Sequence, residues 1–123
     1  MKRILVAEDQ EDLRAILRDY LTASGYAVVE AVDGVESVAK AASDRPDLVL
    51  MDIQLPLLDG YEATRQIKAL PGLAAIPIIA VSSFTMKGDE EKARAAGCDD
   101  YVTKPYSPVQ LLRIIRGVLG ERS

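Results

Sequence analysis

Short uninterrupted apolar runs alternate with segments of helical period along the whole chain. That alternation restricts the fold more than any other feature. A strand buried on both faces of a parallel sheet reads as a continuous apolar run, and parallel neighbours need a long crossover, usually a helix. The runs are Ile4-Leu5-Val6-Ala7, Ala27-Val28-Val29, Leu48-Val49-Leu50-Met51, Ile78-Ile79-Ala80-Val81 and the short Tyr101-Val102. The first gap carries Leu13, Ile16, Leu17, Tyr20 and Leu21 at helical spacing, with Gly25 placed to close the helix in a left-handed turn. The second carries Val35, Val38, Ala39 and Ala42 as a predicted apolar face, starting from Asp33 as N-cap. Ala63, Ile67 and Leu70 mark a third helix after a loop holding Pro56 and Gly60.

The fourth helix, between Asp89 and Ala96, offers only alanines as its apolar face. Asp89-Glu90-Glu91 suit its positive N-terminus, and Gly97 can end it. Ser107 as N-cap and Pro108 at the first helical position open a last helix with Leu111, Leu112, Ile115, Val118 and Leu119. Five strands and five helices in strict alternation predict an α/β protein, a three-layer α/β/α sandwich around a doubly wound, five-stranded parallel sheet. With 123 residues there is room for one core, so residues 1–123 are expected to form a single domain with no output domain attached.

Composition narrows the chemistry by exclusion. There is no histidine and one cysteine, Cys98. Catalysis by Ser-His-Asp or Cys-His, an intramolecular disulfide and a thiolate metal cage are all excluded, and the chain cannot be a phosphohistidine donor. Cys98 itself reads as a small buried hydrophobe. A net charge of −4 argues against nucleic acid as the main partner. The long uncharged stretch from Ala69 to Met86 is broken by Pro71, Gly72 and Pro77, so it is no membrane span. The N-terminal apolar run is too short for a signal peptide and stops at Glu8-Asp9, so a cytoplasmic protein is expected.

In open α/β sheets, ligands bind beyond the carboxyl ends of the strands. Those ends carry Glu8 and Asp9, then Asp52, then Ser82 and Ser83, then Thr103 and Lys104. Two carboxylates about 4 Å apart repel by about 4 kcal/mol at an effective dielectric of 20, so such a cluster needs a counter-charge. Hard oxygen ligands in a partly hydrated site point to Mg²⁺ rather than zinc. Taken singly, each residue has a plainer reading: Asp52 as a turn or cap, Glu8-Asp9 as caps of the first helix, Lys104-Pro105 as loop. Compatible chemistry at four strand ends of one short chain favours a site.

Val6-Ala7-Glu8-Asp9, Leu50-Met51-Asp52-Ile53-Gln54-Leu55-Pro56, Asp59-Gly60, Ala80-Val81-Ser82-Ser83 and Tyr101-Val102-Thr103-Lys104-Pro105 together resemble the receiver domains of two-component response regulators. The likeness runs from Ile4 to Leu119. Met86-Lys87-Gly88-Asp89-Glu90-Glu91 and Ala96-Gly97-Cys98 resemble single-domain receivers of the DivK type, and receivers fused to hybrid kinases carry similar strings.

The resemblance implies a flavodoxin-like strand order of 2-1-3-4-5, for which the receiver CheY is itself a standard example. It implies Asp52 as the phosphoacceptor and Mg²⁺ held by Asp9, Asp52 and the backbone carbonyl of Gln54, with Glu8 acting through water. Lys104, Ser82 and Ser83 would bind the phosphoryl group, and Ser82 and Tyr101 would respond to it as the switch pair. The Lys104-Pro105 bond would be cis. Ser83 stands where alanine or glycine is usual, and Gln54 and Phe84 stand where side chains govern water access to the acyl phosphate.

The implied partners are a sensor histidine kinase or histidine phosphotransfer protein and a downstream protein target. The target would meet the face made by the fourth helix, fifth strand and fifth helix, which includes Tyr101 and Tyr106. The implied state is a monomer or a weak, phosphorylation-dependent dimer. Catalysis would extend only to the protein's own phosphorylation and dephosphorylation.

Three rivals are weighed against this. A haloacid-dehalogenase-type phosphatase wants a second acid two residues after its nucleophile, where this chain has Gln54, which cannot titrate. A flavin- or nucleotide-binding module needs a phosphate-accepting loop after the first strand, whereas Glu8-Asp9-Gln10-Glu11-Asp12 repels phosphate. A pseudo-receiver that binds without being phosphorylated would lack Asp9, Asp52 or Lys104, and all three are present.

Overall fold

The computed structural model describes residues 1–83 and 88–121. Phe84, Met86 and Lys87, singled out in the sequence, lie outside the described residues. The elements follow in strict alternation: β1 (Arg3–Ala7), α1 (Glu11–Ala23), β2 (Ala27–Ala31), α2 (Gly34–Asp44), β3 (Leu48–Asp52), α3 (Gly60–Lys68), β4 (Ile78–Ser82), α4 (Asp89–Ala96), β5 (Asp100–Thr103) and α5 (Pro108–Val118). All strands are parallel, in the order β2-β1-β3-β4-β5.

Alternating side chains of the sheet feed two cores. Leu5, Val49, Met51, Ile78 and Ala80 pack with Ala41 of α2, Ala63 and Ile67 of α3 and Ala93 of α4. Ile4, Val6, Leu48, Leu50, Ile79 and Val102 pack on the other face with Leu17 and Leu21 of α1 and Leu111, Leu112 and Ile115 of α5. Each buried valine, leucine, isoleucine or methionine among these contributes about 1.5–3 kcal/mol, which makes β1, β3 and β4 the rigid centre.

The helix ends are set by the expected chemistry. Asp33 accepts from the Glu36 N–H at the start of α2. Ser107 and Gln110 form a reciprocal capping box at α5, with Pro108 at its first position. Gly25 (φ 99°) and Gly97 (φ 112°) take the left-handed turns after α1 and α4.

The apolar face assigned to α2 is corrected in part by the structure: Val38 packs against the core as expected, but its other three positions do not. Val35 is 54% exposed, and Ala39 and Ala42 also face solvent. Gly34, Ser37 and Ala41 form the buried stripe instead. A Cβ on Gly34 would run into the backbone carbonyl of Leu58, so α2 lies too close to the loop before α3 for larger side chains. Hydrophobicity alone favours the valine, but proximity selects the smaller residues. Ile16 of α1 is likewise exposed, at 55%. Leu70 falls beyond α3, in a turn where its N–H donates to the Ile67 carbonyl, yet it still packs on the core. Among the described residues, no helix is long and apolar enough to cross a membrane.

Candidate functional site

Strand register places the chemistry. Ala7 pairs with Met51, Asp52 with Val81, and Ser82 with Thr103. Glu8, Asp52, Ser82 and Lys104 therefore share one sheet edge, at the carboxyl ends of β1, β3, β4 and β5.

The backbone folds tightly behind Asp52. The Ile53 N–H continues the ladder to the Val81 carbonyl (3.0 Å), and then the Ile53 carbonyl turns away to accept from Gly60 (2.9 Å). α3 thus begins directly against the end of β3. A Cβ on Gly60 would lie 2.5 Å from the Asp52 carbonyl oxygen, so only glycine allows this approach. Between these points Leu57 adopts a left-handed φ of 69°. The Gln54 N–H donates to Asp52 Oδ1 (2.9 Å), and the Gly34 N–H ties the loop to α2 through the Pro56 carbonyl (3.2 Å). One oxygen of the Asp52 carboxylate is thus held by a backbone N–H of a tightly tied loop.

The lysine arrives from the opposite end of the sequence. Its backbone N–H donates to the Ser82 carbonyl (2.8 Å), and the peptide bond to Pro105 is cis. Lys104 Nζ lies 3.0 Å from Asp52 Oδ2 and 3.1 Å from Glu8 Oε1, joining two carboxylates that are each only 3% exposed. One ammonium serves two buried acids, so its own charge is strongly favoured. Burial works against that charge, but the bonds to Asp52 and Glu8 outweigh it and raise the Lys104 pKa.

The second acid answers the imbalance by resisting ionisation. Burial pushes the Glu8 carboxyl up to about 7, and the neighbouring Asp52 charge adds to this; the Gln10 N–H and Lys104 pull the other way. Tyr106, half-buried beside both acids, is pushed up to about 12 by burial and by the charges of Glu8 and Asp52. It therefore stays a neutral phenol.

Asp9 is exposed at the rim, yet one carboxylate oxygen from each of Glu8, Asp9 and Asp52 lies within 4.8 Å of the others. Neither Glu8 nor Asp9 caps α1, as a plainer reading would have it: the N-cap is Gln10, with no side-chain cap bond, and Glu8 Oε2 accepts from the Gln10 N–H (3.0 Å). Among the described residues, three clustered carboxylates, two of them paired to Lys104, leave surplus negative charge at a partly open rim. The donor set is all oxygen. These residues fit a small hard divalent ion such as Mg²⁺.

Ser82 is buried at the end of β4, whereas Ser83 is exposed. Tyr101, in β5, packs partly buried against the core shared by α3 and α4. Sequence reasoning missed three contributors. The Arg14 side chain of α1 donates to the Glu8 carbonyl (3.0 Å), a helical position with no motif to mark it. Lys104 binds Glu8 as well as Asp52, which the charge balance of the strand ends could have indicated. The Gln54 carboxamide oxygen accepts from the Ser83 N–H (3.3 Å), a contact visible only in three dimensions. Beside Lys104, Leu13, Leu17, Pro105, Tyr106 and Pro108 line an apolar groove of about 590 Å³ between α1 and the start of α5.

The response regulator receiver domain model matches residues 4–116. The chain is 42% identical over 120 residues to the polar-differentiation response regulator DivK of Brucella anthropi, covering 98% of each chain. It is also similar to the solved receiver domain of the sensor histidine kinase PA1611 from Pseudomonas aeruginosa, a structure with a magnesium ion coordinated in its active-site cleft. The TM-score is 0.90 at 38% identity, with 98% of each chain covered. The chemotaxis response regulator CheY4 of Vibrio cholerae superposes with a TM-score of 0.91 at 27% identity, over 96% of this chain and 98% of that one. An acidic cluster and a lysine meeting at the carboxyl edge of a 2-1-3-4-5 sheet, with these matches across nearly the whole chain, make this protein a member of the response regulator receiver domain family.

Proposed function

We propose that Asp52 accepts a phosphoryl group from a phosphohistidine on a sensor kinase or phosphotransfer protein, and that the modified chain signals through protein contacts. The observation that carries this reading is the Asp52 carboxylate held between the Gln54 N–H and Lys104 Nζ at the open strand edge. A carboxylate oxygen forms the new P–O bond as the donor's P–N bond breaks, and the electron pair stays on the imidazole. Asp9, Asp52 and the Gln54 backbone carbonyl would hold Mg²⁺, with Glu8 acting through water. When bound, the ion supplies charge neutralisation on the phosphoryl oxygens.

Lys104 is already positioned beside the acceptor and would transfer a hydrogen bond from carboxylate to phosphoryl oxygen as charge builds there. Ser82 would donate its hydroxyl to the group, Ser83 would add a contact, and Tyr101 would change rotamer in response. Moving a two-state equilibrium from 1:99 to 99:1 takes about 5.5 kcal/mol, and hydrogen bonds to charged groups are worth about 1.5–3 kcal/mol each. Contacts from Lys104 and Ser82 approach that scale. The readout face would be α4, β5 and α5; α4 is held to the core only through alanines and is the element with least to lose by shifting. The protein would work as a monomer or a weak dimer that forms on phosphorylation.

Acetyl phosphate with Mg²⁺ is expected to add one phosphoryl mass to the intact protein. Asp52→Asn should abolish that addition. An undiminished mass shift in the variant would reject the assignment.

A further inference from the structure

The Ser83 N–H, one residue past the end of β4, falls on the side of that strand that faces β3. Along that side of β4, the Val81 carbonyl receives the Ile53 N–H (3.0 Å), while the intervening Ser82 carbonyl faces β5 and receives the Lys104 N–H (2.8 Å). In an uninterrupted ladder the Ser83 N–H would meet the Ile53 carbonyl, but that carbonyl is taken by Gly60 at the start of α3. Ser83 is left with a donor and no strand partner, one step beyond the Asp52–Val81 pair. The Gln54 carboxamide oxygen fills the gap at 3.3 Å.

Gln54 therefore spans the acceptor. Its backbone N–H binds Asp52 Oδ1, and its side chain binds Ser83 just past the neighbouring strand. We propose that the Gln54 carboxamide is a positioning group that latches the β3–α3 loop to the end of β4 in the resting state and competes with the incoming phosphoryl group for the Ser83 N–H. A phosphoryl group on Asp52 brings three charged oxygens to this mouth, and a charged oxygen is a stronger acceptor than a neutral amide. Ser83 then changes partner, Gln54 is released, and the end of β4 is freed from the loop that follows Asp52. The inference rests on Asp52 being the acceptor, but it concerns a separate contact.

Two variants separate the latch from mere loop structure. Gln54→Met keeps the length of the side chain and lacks the amide oxygen, and Gln54→Glu keeps an acceptor. The Gln54 side chain is exposed, so both should fold. In the unphosphorylated state, the Ser83 amide proton resonance should move upfield in Gln54→Met and be retained in Gln54→Glu. Beryllofluoride, a stable stand-in for the phosphoryl group, should bind Gln54→Met with Mg²⁺ about 2- to 10-fold more tightly than wild type, the range expected for removing one partly exposed neutral competitor. In the wild type, beryllofluoride should shift the Ser83 amide and the Gln54 side-chain amide together. An unmoved Ser83 resonance in Gln54→Met, or unchanged beryllofluoride affinity, overturns the latch while leaving the acceptor assignment standing. A wild type that binds no beryllofluoride and takes no phosphoryl group overturns both.

Discussion

Glu8 is 3% exposed, lies between a lysine and a second carboxylate, and has a carboxyl pushed up to about 7. In the unfolded chain it titrates near 4.5; in the folded chain the proton is held until about 7. Between those values the folded state binds more protons than the unfolded one, so stability contributed here is complete below about 4.5 and is lost as the pH rises through about 7. Urea unfolding in the presence of a chelator is therefore expected to give a lower midpoint at pH 7.5 than at pH 5. Glu8→Gln, which cannot ionise, should flatten that part of the profile. A variant profile parallel to wild type would mean that another group carries the dependence. At this scale the sequence is most informative about residue type. Glu8, Asp52 and Lys104 can be chosen because each lies at or just past the end of an apolar run, but which carboxylate oxygen faces the ammonium depends on the register of β1, β3 and β5, and no residue announces that.

At the scale of elements, two glycines in helices behave in opposite ways. Gly60 begins α3 with its α-carbon pressed against the backbone of Asp52 and Ile53, where a Cβ would stand 2.5 and 2.6 Å from fixed atoms. Gly117, near the end of α5, has nothing within 4 Å of its Cβ position. Gly60→Ala should cost about 1–3 kcal/mol through overpacking and slow phosphorylation by displacing the loop that grips Asp52. Gly117→Ala should be neutral or stabilise by up to about 1 kcal/mol, because alanine loses less backbone freedom on folding. Chemical denaturation of both variants checks the pair, and equal effects would contradict the packing argument. The same contrast explains what is legible in the elements. Strands β1, β3 and β4 read cleanly because both of their faces are buried, and α5 reads cleanly because its cap, proline and apolar stripe agree. The α2 face does not, because Gly34, Ser37 and Ala41 are buried for their smallness, a property that hydrophobic periodicity does not record. For α3, Leu70 belongs to the core without belonging to the helix, so a pattern of burial overstates the length of the element.

For the molecule as a whole, the fold concentrates like charge where it is least comfortable. The chain carries a net charge of −4, and three of its carboxylates approach one another at one rim with a single lysine between two of them. The two cores hold the sheet edge in this arrangement, so the repulsion is a standing cost of the fold that a divalent ion would relieve. Binding to the folded state alone stabilises by RT ln(1 + [L]/Kd), about 2.7 kcal/mol at a hundredfold excess over Kd. Mg²⁺ should therefore raise Tm by several degrees in a domain of this size, and a chelator should reverse the shift. Sodium chloride at matched ionic strength should give much less, since screening acts weakly on buried groups. Asp9→Asn removes the rim carboxylate but leaves the buried Glu8–Lys104–Asp52 set in place, so it should fold while losing most of the Mg²⁺-dependent shift. Full retention of that shift in Asp9→Asn, or an equal rise with sodium chloride, would show that the acids act as diffuse surface charge and not as one centre.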